Sequence, residues 1–89
     1  MKRLLPIANA RLSPRAARAV HPFDAFCSII KHCYGDWRHL APPQRLDLLV
    51  SLRNGEPVKT PFVDRNGIAF IVLTDVARTA TTVKLADEQ

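Results

Sequence analysis

The chain has 89 residues, of which 47% are apolar and 24% charged, and its formal net charge is +5. These proportions are ordinary for a soluble globular protein, and the length predicts a single domain over 1–89 with one small core. No segment approaches the roughly 18 consecutive apolar residues of a membrane span. We therefore expect no membrane-spanning helix and no membrane partner.

Residues 1–12 form a basic N-terminal arm, within which residues 4–8 favour a short strand. Pro6, Asn9 and Arg11 interrupt its apolar run, whereas a signal peptide needs about 7–15 apolar residues in succession. We therefore expect a cytoplasmic protein. Five cations precede the first acidic residue, and they are the candidate nucleic-acid contacts: Lys2, Arg3, Arg11, Arg15 and Arg18. Such an excess of basic residues attracts nucleic acid or an acidic protein face, but it also simply favours solubility.

The helical part is predicted over 13–55. A short first helix begins at Ser13, a capping residue followed by proline, and stops at the His-Pro pair 21–22. A second helix runs from Pro22 to about Tyr34, and Gly35 terminates it. Its apolar residues follow the spacing of a buried stripe, which we expect to consist of Phe23, Phe26, Cys27, Ile30 and Cys33 or Tyr34, widened by Ile29.

The two cysteines, Cys27 and Cys33, both fall within this second helix. Six residues of helix separate their Cα atoms by about 9 Å, beyond the roughly 7 Å limit for a disulfide. We expect both to be reduced and largely structural.

The third helix begins at prolines 42 and 43 and ends before Gly55. Its apolar residues occupy more than one face: Leu46, Leu48, Leu49, Val50 and Leu52. A helix that is apolar most of the way round is buried on several sides. We therefore expect it to be central in the fold or to contact a partner, either another protein or a second copy of the chain.

After Pro57 the period changes to two, and residues 57–86 predict a β-meander with strands at VKTPFV, IAFIVLT and TTVKL. Asn66-Gly67 predicts a type I′ hairpin turn, and Pro61 places the first of these strands at an edge. The expected fold is α+β, a small single domain with two or three helices on a three-stranded, possibly four-stranded, antiparallel meander.

The segment HCYGDWRHL, residues 32–40, raises the question of a chemical site. Its soft ligands together with the preceding cysteine are Cys27, His32, Cys33 and His39, but their spacing does not fit the paired ligands of a zinc site. Cys33 lies near a helix C-terminus, where the helix dipole disfavours a thiolate nucleophile. We expect no metal and no cofactor.

General acid–base chemistry is the remaining enzymatic interpretation. The weak catalytic candidates are His32, Asp36 and Arg78, with His39 nearby, as in a small nuclease. In the competing interpretation Gly35 ends the helix, Asp36 caps the next turn and Trp37 anchors that turn in the core. His32 and His39 are then surface or partly buried hydrogen-bonding residues.

The segment TDVARTATT, residues 74–82, combines hydroxyl groups with one cation. Thr81 and Thr82 fit a strand because they are β-branched, whereas Thr74 and Asp75 suit a connection. Arg78 has no evident structural role and is a binding candidate, unless it pairs with Asp36 or Asp75.

These two segments together resemble a family of small proteins found on bacterial plasmids, integrated elements and phages. Its members show H-x-x-G-D-W-G near the middle and T-x-A-D-R-S-x-T-T-V-L-L-P-E-E at the end. The resemblance covers roughly residues 9–88, and the matching residues are His32, Gly35, Asp36, Trp37, Thr74, Arg78, Thr81, Thr82, Val83 and Leu85. The chain departs from the pattern at Arg38 and Ala86, and its third helix is apolar where the family's is acidic.

The resemblance implies a mobile-element setting, with His32, Gly35, Asp36, Trp37, Thr74, Thr81 and Thr82 as the structural motif. The first hypothesis is a non-catalytic protein that binds another protein and antagonises a host-defence complex, in the manner of anti-CRISPR or anti-restriction proteins. Its expected contacts are Arg38, Leu48, Leu49 and Arg78. The alternative is a basic nucleic-acid-binding accessory protein, and the third hypothesis is a small hydrolase or nuclease.

Overall fold

The fold consists of helices packed on one face of a mixed four-stranded sheet. The computed structural model describes residues 3–5, 7 and 9–88. In chain order the elements are β1 (Ala10–Leu12), α1 (Pro14–Ala19), α2 (Pro22–Tyr34), α3 (Pro42–Arg53), β2 (Val58–Val63), β3 (Ala69–Thr74), β4 (Thr81–Leu85) and a final 3₁₀ turn (Ala86–Glu88). The α+β class is as expected.

The sheet has the strand order β1-β4-β3-β2 and is not purely antiparallel, because β1 runs parallel to β4. The predicted antiparallel meander accounts only for β2, β3 and β4. The fourth strand lies at Ala10–Leu12, after the expected segment 4–8. Leu4 and Leu5 instead donate their amides to the carbonyl of Cys33, at 2.8 and 3.0 Å. They bind the end of α2, while Pro6 and Ala8 lie outside the described residues.

The helix boundaries follow the proline and glycine signals. The Ser13 hydroxyl accepts a hydrogen bond from the Ala16 amide at 3.1 Å, which satisfies an amide at the start of α1. Gly35 ends α2 in the left-handed region with φ of 69°, a conformation that glycine adopts without steric cost. The predicted extents of α2 and α3 are confirmed.

The face of α2 that packs on the sheet differs from the predicted one. Phe23 and Phe26 are each 61% exposed. The buried residues are smaller, namely Ala25, Ser28, Ile29, His32 and Cys33. The expectation was right for Ile29 and Cys33 and wrong for the two phenylalanines, because side-chain hydrogen bonds from His32 to the sheet fix which face of the helix turns inward.

Helix α3 is not central in the fold. Among its twelve residues only Leu48 is buried, and Leu46, Leu49 and Val50 are exposed. The helix lies over β2, the edge strand, so only one of its sides meets the core. Its apolar excess is therefore not explained by packing within this chain.

The hairpin between β2 and β3 forms where Asn-Gly predicts it, but with another turn type. The Gly67 amide donates to the Asp64 carbonyl at 3.0 Å, and of these residues only Gly67 has a positive φ. This is a type I turn followed by a left-handed glycine. The Asp64 carboxylate accepts hydrogen bonds from the amides of Asn66 and Ile68, which favours this turn over type I′.

Trp37 anchors the connection between α2 and α3 in the core, with 5% of its surface exposed. Its Nε1 has no hydrogen-bond partner among the described residues, so packing alone holds the ring.

We expect Trp37→Ala to lower the free energy of unfolding by about 3–5 kcal/mol, because it leaves a cavity in the core. Trp37→Phe should cost less than half as much, since it retains most of the ring and removes no hydrogen bond. Urea denaturation of the three proteins measures both changes. Equal losses for the two variants would show that the indole N–H matters more than packing.

Candidate functional site

His32 lies at the centre of the molecule and is fully buried. Its Nδ1 is 2.8 Å from Oγ1 of Thr60 on β2, and its Nε2 is 2.7 Å from Oγ1 of Thr74 on β3. Thr74 Oγ1 is in turn 2.8 Å from Thr81 Oγ1 on β4. The expectation that His32 lies at or near the surface was wrong, as was the placement of Thr74 in a connection.

The environment of His32 favours its neutral form. Burial, with a smaller contribution from the positive charge of Arg78, lowers the pKa of His32 to about 4. A neutral imidazole has one donor and one acceptor nitrogen, which matches two threonine hydroxyls. In this position the ring does not reach solvent, where a substrate would bind.

The other two weak catalytic candidates have structural partners of their own. Both carboxylate oxygens of Asp36 accept hydrogen bonds from Arg38, at 2.8 and 3.0 Å, which holds the pKa of Asp36 below its usual value. The backbone N–H of Arg38 also donates to the Asp36 carboxylate and adds to this lowering, in agreement with the predicted cap of the next turn by Asp36. No described hydrogen bond joins His32, Asp36 and Arg78 into one cluster.

Arg78 lies in the turn between β3 and β4 and has a positive φ of 59°. Its guanidinium donates to backbone carbonyls of Glu56 at 2.7 Å and Asp75 at 3.2 Å, and lies 3.4 Å from that of Leu52. The expectation that Arg78 has no structural role was wrong, and its described hydrogen bonds do not include the alternative carboxylate partners. Its contacts to main-chain oxygens attach the turn to the end of α3.

The soft ligands are likewise separated. The part of the chain that the structure describes contains no group of three His, Cys, Asp or Glu side chains able to hold a metal ion. Neither cysteine forms a disulfide within the described residues, and burial raises the pKa of the Cys33 thiol. His39 stacks on Phe62 with ring centroids 4.5 Å apart.

The predicted nucleic-acid contacts do not form one surface of free cations. Arg15 donates to Asp87 at 3.0 Å and lies 3.8 Å from Glu88. Arg3, Arg11 and Arg18 are exposed, and Lys2 lies outside the described residues. Arg11 belongs to β1, where the register places it on the outer face of the sheet beside Thr82.

Two of the four expected protein-binding residues line a groove between the α2–α3 connection and α3. The groove encloses about 450 Å³ and is lined by Leu4, Gly35, Asp36, Trp37, Arg38, Arg45 and Leu49. Leu4 and Leu49 remain 45% and 44% exposed. Of the four predicted contacts, Arg38 and Leu49 line this groove, whereas Leu48 is in the core and Arg78 is at the β3–β4 turn.

Leu4 and Arg45 also line the groove and are not among the residues predicted from the sequence. Leu4 joins the groove because its amide binds the C-terminus of α2, a contact across 29 positions of sequence. Arg45 donates to the Leu40 carbonyl at 2.9 Å. Its position one turn before Leu49 was the available signal, because residues four apart share a helix face.

The outer face of the sheet forms a second distinctive surface. None of the described strands contains an acidic residue. The pairing register places three cations on the face opposite the core, namely Arg11, Lys59 and Lys84. They surround apolar residues such as Ile71 and Leu73.

No protein-family model, curated protein or solved structure matches this chain. Among the described residues, no helix is long and apolar enough to cross a bilayer.

The depressed pKa of His32 makes stability depend on pH in a defined window. Between the ordinary value of 6.5 and about 4, the unfolded chain binds a proton that the folded chain does not. The free energy of unfolding should therefore fall as pH decreases through this window, by roughly 3 kcal/mol in total.

Denaturant unfolding at several pH values measures this loss, and an NMR titration of the His32 ring measures the pKa without any substitution. Asp24→Asn is the control, because ion pairing with Arg65 lowers the pKa of Asp24 to about 2 and so places its effect below the window. A His32 titration near 6.5 would contradict the expectation.

Proposed function

We propose that this protein is a small non-catalytic binding protein that acts through contact with another protein. The observation that supports this most directly is the outer face of α3. Leu46 is 61% exposed and Leu49 and Val50 nearly half exposed, although the fold requires only Leu48 inside. Contiguous exposed apolar side chains of this kind are typical of a surface that a partner covers.

The groove beside α3 indicates what kind of partner fits. Leu4 and Leu49 offer apolar contact, and the guanidinium groups of Arg38 and Arg45 border it. Asp36 is the only carboxylate in the lining and is already paired with Arg38. A partner segment that presents an apolar side chain flanked by acidic residues is complementary to this surface.

The roles of the weak catalytic candidates also favour binding over catalysis. His32 is buried and neutral, Asp36 is paired with Arg38, and Arg78 binds main-chain oxygens. A hydrolase built on these residues would require His32 to leave the sheet. We place the binding activity in the mobile-element setting that the motif resemblance implies, with a host-defence complex as the target.

We expect Leu49→Asp to abolish partner binding while changing the free energy of unfolding by no more than about 0.5 kcal/mol, because the side chain is at the surface. The matched control is Val63→Asp, which puts the same charge on a residue that is 67% exposed and outside the groove. Tagged versions of the three proteins are incubated with host lysate, treated with nuclease and washed over a salt series.

Recovery of one stoichiometric protein by the wild type and by Val63→Asp, but not by Leu49→Asp, supports the proposal. Recovery of a protein that binds all three equally would place the contact elsewhere. Recovery of nucleic acid alone would overturn the proposal.

The outer face of the sheet supports a second candidate, a nucleic-acid-binding accessory protein. Arg11 and Lys84 lie on this face, and no described strand contributes an acidic residue, so phosphates would contact it through charge. The described face has no aromatic side chain for base stacking, so this binding would be independent of sequence.

If this candidate is correct, Lys84→Glu combined with Arg11→Glu should lower affinity for a DNA duplex. It should also reduce the slope of log affinity against log salt concentration by the amount that about two phosphate contacts contribute. Fluorescence anisotropy over a salt series measures both quantities, with Arg53→Glu on α3 as the control. Unchanged affinity and slope would contradict the candidate.

A further inference from the structure

The outward side of α2 carries an apolar stripe that packing within the chain leaves uncovered. Phe23, Phe26, Ile30 and Tyr34 are spaced by three or four residues, so they lie along one side of the helix. Both phenylalanines are 61% exposed, and Ile30 and Tyr34 are half-buried. The buried residues of α2 lie on the opposite side.

The fold itself provides little cover for these rings. The Arg65 guanidinium lies 5.8 Å from the centroid of Phe23, and this is the one cation–π contact of the described residues. The stripe is also separate from the exposed face of α3 that the proposed function uses.

The two ends of the stripe have opposite charge. Near its start lie the carboxylates of Asp24 and Asp64 and one cation, Arg65. Near its end lie Lys31 and the ion pair between Asp36 and Arg38. The first end therefore has one excess negative charge and the second one excess positive charge.

We propose that α2 pairs with α2 of a second copy of this chain, in an antiparallel arrangement about a two-fold axis. An isologous contact of this kind brings the same patch from both copies together. The antiparallel direction puts the negative start of one stripe against the positive end of the other. Asp24, which pairs with Arg65 of its own chain, and Lys31 lie on the same flank of the helix. The antiparallel arrangement therefore brings the Asp24 carboxylate of each copy toward Lys31 of the other.

Cys27 lies within the stripe, between Phe26 and Ile30, close to the two-fold axis of such a pair. Its side chain is partly buried, whereas that of Cys33 is fully buried. Packed helix axes lie about 8–10 Å apart, and side chains next to the axis approach closely enough for the two Cys27 residues to form a disulfide. The native sequence thus contains a reporter for this contact.

The contact is small. The stripe from Phe23 to Tyr34 is about 16 Å long, and the exposed parts of two phenylalanine rings amount to on the order of 250 Å² per copy. A stable interface buries about 800 Å² per partner. The pair is therefore a reversible dimer that forms as concentration rises.

Sedimentation of the full chain over a concentration series tests the proposal. We expect the weight-average mass to rise from 10.0 kDa toward twice that value. Phe26→Asp should keep the protein monomeric, and Lys31→Glu should weaken association several-fold at low salt. Lys84→Glu removes the same charge from the sheet, and Leu49→Asp alters the α3 face, so both should dimerise like the wild type.

Mild oxidation gives the second measurement. The wild type should form a covalent dimer that Cys27→Ser and Phe26→Asp do not form. A wild type that stays monomeric up to about 1 mM, or a dimer that Leu49→Asp disrupts and Phe26→Asp does not, overturns the proposal. A dimer that Lys31→Glu does not weaken overturns the antiparallel arrangement, because in a parallel pair Lys31 does not face Asp24 of the other copy.

Discussion

One imidazole fixes how the helical layer sits on the sheet. His32 projects from α2 to Thr60 on β2 and Thr74 on β3, and Thr74 continues the network to Thr81 on β4. A buried polar group without partners is costly, so α2 has only one rotation and one position along its axis that satisfy this ring. This one hydrogen-bond network joins three strands to α2. The small residues beside His32 let the helix approach the sheet closely.

The hydrogen bonds of His32 also determine which side chains of α2 are exposed to solvent. Because α2 turns His32 inward, its large apolar residues face solvent, with Phe23 and Phe26 the most exposed. The core combines strand residues such as Val58, Val72 and Val83 with smaller helix residues and with Trp37 and Leu40 from the connection between α2 and α3. A chain of this size has few interior positions, so leaving Phe23 and Phe26 exposed has an energetic cost that a partner covering them would offset.

The sequence predicts the element boundaries well because proline, glycine and capping residues act locally. It does not predict the rotation of α2, since apolar spacing favours the phenylalanines and gives no weight to a histidine whose partners lie 28 and 42 residues away. The parallel pairing of β1 is missed for the same reason. Of the candidate site, Arg38 and Leu49 are predictable from their types and spacing. The part formed by Leu4 depends on a long-range contact that no local pattern reveals.

The pairing of β1 with β4 has a consequence for how the chain reaches its native state. Ala10 lies opposite Thr81 and Leu12 opposite Val83, and Ser13 donates to Glu88 at 3.1 Å. Contacts this distant in sequence raise the contact order and slow folding, because a long loop must close before they form. The hairpin of β2 and β3 closes locally, so we infer that it forms early. During synthesis β1 cannot pair until almost the whole chain has been made. Until β4 has been synthesised, the backbone N–H and C=O groups of β1 remain able to pair with other strands.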